Sequence, residues 1–143
     1  MSEASPRYEQ IEHTAEAGII ARGDTLAEAF ANAAEGMYAL QVDLDGVEER
    51  VERHVLVESD GHEALLVDWL LELLFLTETE GLVFRRFAID ELTKEVVRGR
   101  AWGEPFDPER HQTYNVLVKA VTQHMLEIVP EDGGYRVQVL FDI

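Results

Sequence analysis

Four oxygen-bearing groups near the two ends of the chain have the types and spacing for cation chemistry. Glu12 and Glu16 stand four residues apart around His13, Thr14 and Ala15. The sequence stops at Val139-Leu140-Phe141-Asp142-Ile143, where an acidic side chain adjoins the terminal carboxylate. These are hard oxygen donors, so calcium, magnesium or manganese suits them better than zinc or copper. Asp142 and the Ile143 carboxylate are neighbours and can clamp one ion together. Glu12 and Glu16 share a face about 6 Å apart on a helix, but lie about 13 Å apart on a strand. One ion held at about 2.3–2.6 Å cannot bridge the extended pair. Joint use then requires a bend, for which Ala17-Gly18 is the candidate. With 29 acids among 143 residues, an acidic pair at this spacing also arises by chance.

Other chemistries leave weaker traces. The histidines at 13, 54, 62, 111 and 124 form neither a His-x-x-x-His nor a His-Glu-x-x-His pattern, which excludes a metalloprotease motif. His13, between the two acids, is placed to be a ligand or to orient one, although such a histidine more often bonds a neighbouring backbone group. His124 with Lys119 and Thr122 could do acid–base work, but an ordinary half-buried strand explains them as well. Gly-x-Ser-x-Gly, Gly-x-Gly-x-x-Gly and Gly-Lys-Ser/Thr loops are absent. The serines at 2, 5 and 59 fall in terminal or loop-like contexts. The absence of cysteine removes disulfides, zinc fingers, thiol catalysis and iron–sulfur clusters.

The groups at the two ends meet only if a fold brings them together. A length of 143 residues with 46% apolar content predicts a single domain, 1–143, with a real core. The start, Met-Ser-Glu-Ala-Ser-Pro, lacks the basic and apolar regions of a signal peptide, which predicts a cytoplasmic protein. The apolar run 64–76 carries Asp68 and Glu72 and is shorter than the roughly 20 residues of a membrane span, so it reads as a buried core helix, apolar nearly all round and covered on most sides. The formal net charge of −17 repels RNA and anionic lipid, so contact with nucleic acid is expected to be indirect.

Short strands are expected at 7–11 and 18–22. A first helix follows, opened by a Thr25/Glu28 capping box and carrying an apolar stripe of Leu26, Phe30, Ala33, Ala34 and Met37. Residues 43–47 read as a loop and 49–57 as a half-exposed strand. Asp60 with Glu63 is expected to cap a second helix running to about 78, with Gly81 as its left-handed C-cap. Strands are expected at 82–89, 96–102, 115–128 and 135–141, with a loop through 105–111 and a turn at 130–134. Two helices and about seven strands predict an α+β domain with a mainly antiparallel sheet and both helices packed on one face.

Taken in order, these segments resemble the archease family. Tyr8-Glu9-Gln10-Ile11-Glu12-His13-Thr14-Ala15-Glu16-Ala17-Gly18-Ile19 is similar to the family's opening acid-His-Thr-Ala-Asp signature. Residues 25–30 and 64–70 are similar to its two helices. Gly103 to His111, Val118 to Ile128 and the Phe141-Asp142-Ile143 ending also match, so the resemblance covers almost the whole chain.

The resemblance implies an accessory protein rather than an enzyme. Archeases assist the RtcB-type RNA ligase of tRNA splicing, which loads guanylate from GTP with manganese and seals RNA ends. The family speeds guanylate loading and sustains turnover, touching RNA only through the ligase. Its cation site, described with calcium, uses the last acid of the signature, the penultimate Asp and the C-terminal residue, which here are Glu16, Asp142 and Ile143. Glu12 matches the acidic first position and is the weaker candidate ligand. The signature's last acid is usually Asp, and Glu16 reaches about one bond further, which flexible calcium coordination tolerates better than octahedral magnesium. A small metal-dependent phosphoester hydrolase using the same carboxylates and a chaperone-like protein-binding module are the competing readings.

Overall fold

A computed structural model of the chain describes residues 5–12 and 16–143. Strand β1 (Tyr8–Glu12) pairs with β2 (Glu16–Gly23), and the chain then enters helix α1 (Leu26–Ala39). The helix begins where the capping box predicts. The Glu28 amide donates to Thr25 Oγ1 at 3.1 Å, and the Glu28 carboxylate accepts from the Asp24 amide at 2.8 Å. The expected stripe is on the core side, with Phe30, Ala33, Ala34 and Met37 buried and Leu26 packed partly against it.

A 3-10 turn (Leu44–Gly46) leads to β3 (Val51–Glu58) and then helix α2 (His62–Glu80). The expected Asp60/Glu63 cap does not form. Gly61 is the N-cap, with φ at +101° and no side-chain cap bond. The segment is instead held from the side, because the Ser59 and Gly61 amides donate to Glu95 O and Lys94 O at the β4–β5 turn. At the other end Gly81 does cap in the left-handed region (φ 68°, ψ 28°), a conformation without steric cost only for glycine.

Strands β4 (Leu82–Leu92), β5 (Val96–Pro105), β6 (Ala120–Glu131) and β7 (Gly134–Asp142) complete the domain. Asp132 (φ 50°) and Gly133 (φ 81°) make the two-residue hairpin between β6 and β7, which needs positive φ at both positions. The strand expected from 115 begins only at 120. Before that, the Tyr114 amide bonds Gln41 O, the Val118 amide bonds Gln41 Oε1, and the Lys119 amide bonds Asp142 O at 2.8 Å.

The expected class holds: an α+β domain with antiparallel strands and two helices. The strands divide between two sheets, ordered β1-β2-β7-β6 and β3-β5-β4. Helix α1 packs on β2, β7 and β4, and α2 on β3 and β6, so the helices bridge the sheets around one core. Trp69 Nε1 of α2 donates to Phe30 O of α1 at 3.0 Å, and the Tyr38 hydroxyl donates to Leu73 O at 2.9 Å, which locks the helices together. Among the described residues, no helix is long and apolar enough to cross a membrane.

Candidate functional site: an acidic tip

Strand alternation fixes which residues leave the core at the end of the four-stranded sheet. Ala17, Ile19 and Ala21 of β2 pair with Phe141, Val139 and Val137 of β7, and all six are buried on the core face. The intervening pairs point to the other face, and the last of them is Glu16 opposite Asp142. Directly opposed residues of an antiparallel ladder hold their Cβ atoms about 4.5–5.5 Å apart, where like charges repel. The register therefore concentrates negative charge at this tip.

Ile143 is the next residue and packs partly against the core. It lines a groove of about 740 Å³ with Glu16, Asp43, Asp45, Tyr8 and Tyr114. Glu16, Asp142 and Ile143, drawn from opposite ends of the chain, thus meet at one end of the sheet. Glu12 stands in register with Ala17, one rung away. Ala17 pairs with Glu12 and Gly18 with Ile11 inside the β1–β2 ladder, so Ala17-Gly18 are not the bend. His13 and Thr14 lie outside the described residues.

One neighbour of the tip is a histidine that the sequence marks only as an acid–base candidate. His124 Nδ1 lies 3.7 Å from Glu16 Oε2. It gets there because β6 is irregular: Thr122 pairs with Leu140 and Glu127 with Gln138, so the residues between them bulge against a single partner position. Met125 takes φ 56° in this bulge. Gln138 Nε2 donates to Met125 O at 2.9 Å and tethers the bulge over the outer sheet face. Leu140 alternates to that face yet is only 1% exposed. The bulge therefore carries His124 to the acids.

A second polar cluster, unassigned from sequence, gathers at the end of β5. Glu104 is 1% exposed. It accepts hydrogen bonds from the Glu48 amide (2.7 Å), His111 Nε2 (2.9 Å) and Arg110 Nη2, with Arg50 Nε 3.7 Å away. His111 Nδ1 accepts from the Asp107 amide at 2.9 Å, so the proton sits on Nε2 and the ring donates to Glu104. Burial alone would push the Glu104 carboxyl up, but the bonds from Arg110, the Glu48 amide and His111 hold it at about 2. The cluster clamps the 105–111 loop to β5. The acid-rich 103–111 stretch was the only sequence signal for it.

The tip's donors are hard oxygens, and two carboxylates face each other across one rung, so the residues present fit a hard divalent cation. Among the described residues, no three Asp, Glu, His or Cys side chains form a metal cluster by themselves. A cation there would need a main-chain donor as well, and Ile143 is placed to be one.

The fold and site define a small two-helix, two-sheet α+β protein with an acidic tip. The Archease protein family model matches residues 8–143. The archease of Methanosarcina mazei is 40% identical, covering 100% of both chains. That of Pyrococcus furiosus is 41% identical, covering 96% of this chain and 99% of its own. The solution structure of a Methanobacterium thermoautotrophicum protein superposes with a TM-score of 0.81 at 39% identity, covering 96% of this chain and 99% of that one. A Thermotoga maritima crystal structure, described as an archease and possible chaperone, shares the fold at a TM-score of 0.61 and 18% identity, covering 100% and 99%. The chain belongs to the archease family.

Proposed function

We propose that this protein is an accessory activator of an RtcB-type RNA ligase in tRNA splicing, and that its working part is the acidic tip. The observation that carries the reading is the Glu16–Asp142 rung, in a chain whose residues 8–143 match the archease family. Glu16, Asp142 and a main-chain oxygen of Ile143 are the donors for a divalent cation, calcium first and manganese or magnesium as alternatives, with Glu12 as a weaker contributor. A bound cation would supply a positive centre that neutralises the opposed carboxylates and offers open positions to a partner's oxygens.

The chain's own contribution is binding and positioning. The rigid β2–β7 rung holds two carboxylates at the rim of the molecule, where they can enter a ligase active site, help to position its metal, and favour the conformation competent for guanylation. RNA is reached only through the ligase. The protein acts without turning over a substrate of its own, in the cytoplasm.

The test is single-turnover guanylation of a cognate RtcB-type ligase with GTP and manganese, with and without the protein. The wild type is expected to accelerate loading, and Asp142→Ala to leave it at the rate of the ligase alone. Full stimulation by Asp142→Ala would sink the role of the tip. Phosphoester hydrolysis by the protein alone would favour a metal-dependent hydrolase. Metal-independent protection of unrelated proteins would favour a chaperone-like module, the description given to the Thermotoga maritima protein.

A further inference from the structure

Helix α2 is apolar enough on all sides to be buried all round, yet one side of it is bare. Leu65, Leu66, Trp69, Leu70 and Leu73 join the core, and Val67 is also buried. Phe75 is 57% exposed and Leu71 39%. These two wall a groove of about 500 Å³ between α2 and β3, with Val57 and Leu74 also lining it. The polar part of the lining is mostly acidic, with Glu58, Asp68, Glu72 and Glu78 beside a single Lys119. None of these four acids has a cationic partner within 4 Å among the described residues. Asp68, Leu71, Phe75 and Glu78 follow each other at steps of three or four, and Glu72 stands four residues after Asp68 and three before Phe75, so apolar and acidic groups run together along one side of α2 over about 15 Å.

We infer that this groove is the docking site for a basic amphipathic helix of a protein partner, with the partner's apolar side chains on Leu71 and Phe75 and its lysines or arginines against the acidic lining. Charge selects that occupant. A second copy of this chain would set the same four acids against themselves, and an acidic or phosphorylated segment would be repelled. A helix lying along a helix-lined groove reads it at the same spacing that α2 presents. The groove also adjoins the tip: Lys119, in its lining, donates its backbone amide to Asp142 O. A helix seated here would bring the rest of its protein to the acidic end of the sheet. The docking site stands independently of the ligase reading, and its test uses no ligase.

The probe is a synthetic helix of about 14 residues, with Leu at i, i+3, i+4 and i+7 and Lys or Arg at the flanking positions, titrated into isotope-labelled protein and followed by amide NMR. A scrambled peptide of the same composition is the control for non-specific attraction to an acidic protein. Amide shifts are expected to gather at 57–58, 68–78 and 119. Affinity is expected to fall about tenfold with the scrambled peptide, with Phe75→Ser and with Glu72→Gln plus Glu78→Gln, and to fall with added salt. The substituted side chains lie outside the core, and unchanged thermal unfolding verifies that the fold survives. Equal affinity for the scrambled peptide, unchanged affinity in Phe75→Ser, shifts gathered at the tip, no binding, or dimerisation of the free protein through this face would each overturn the inference.

Discussion

Glu104 is a buried carboxyl that stays ionised because three donors converge on it, and that makes it a pH-dependent part of the fold. Its carboxyl is held at about 2 against an ordinary value of 4.5. A group whose folded value is depressed contributes stability that is fully present above the ordinary value and is lost as pH falls toward the folded one. The window here is therefore about pH 4.5 down to 2. Glu104→Gln keeps the shape and removes the charge, and is expected to cost about 2 kcal/mol at pH 7, the scale of hydrogen bonds to a charged group. Urea unfolding at pH 7 and near pH 2 checks this: the variant should be weaker at pH 7, and the gap should close in acid. A gap of the same size at both values would mean that the carboxylate's charge is not what clamps the loop. Glu16 and Asp142 differ in kind. They sit opposed at the sheet rim, with His124 3.7 Å from Glu16, an arrangement that costs stability unless something positive lies between them. The donor types were legible in the sequence. Their meeting was not, because Glu16 and Asp142 are joined only by the register of β2 on β7.

At the scale of elements, the local signals that carry their own physical mechanism told most. The Thr25/Glu28 box, Gly81 at the end of α2 and Asp132-Gly133 in the last hairpin act within a few residues, so tertiary packing had little chance to override them. The start of α2 escaped because the β4–β5 turn holds residues 59–61 from a distance. The division into two sheets escaped because alternation names a strand's faces, not its neighbours. The β6 bulge escaped for the same reason, and it is the element that positions His124. Gln138 is its fastener. Gln138→Ala is expected to remove one hydrogen bond and about 1 kcal/mol, and to raise amide exchange at 123–126 while the β2–β7 rungs stay protected. Exchange mass spectrometry reads both at once. Unchanged exchange in the bulge would show that something other than the Gln138 bond holds it in place.

For the whole molecule, the charge count sets how it can meet a partner. All ten arginines form ion pairs with acids: the outer face of β3-β5-β4 alone pairs Arg86 with Glu49, Arg98 with Glu91 and Arg100 with Asp90, and the remaining seven are likewise matched. Arg86 and Arg100 are further occupied against the Trp102 ring, at 3.7 and 4.8 Å from its centroid. A phosphate backbone would find no arginine free of a carboxylate. The surplus acids behind the net charge of −17 remain available to a basic protein, around the tip groove and the α2 groove. A field of this kind acts before contact by steering diffusional encounter, and salt screens it. The association rate with a basic partner is accordingly expected to drop about tenfold between roughly 50 and 500 mM salt, with a smaller change in the dissociation rate. Stopped-flow mixing of the labelled protein with its partner measures both. A rate indifferent to salt would mean that the acidic surface serves the molecule's solubility rather than its recognition of a partner.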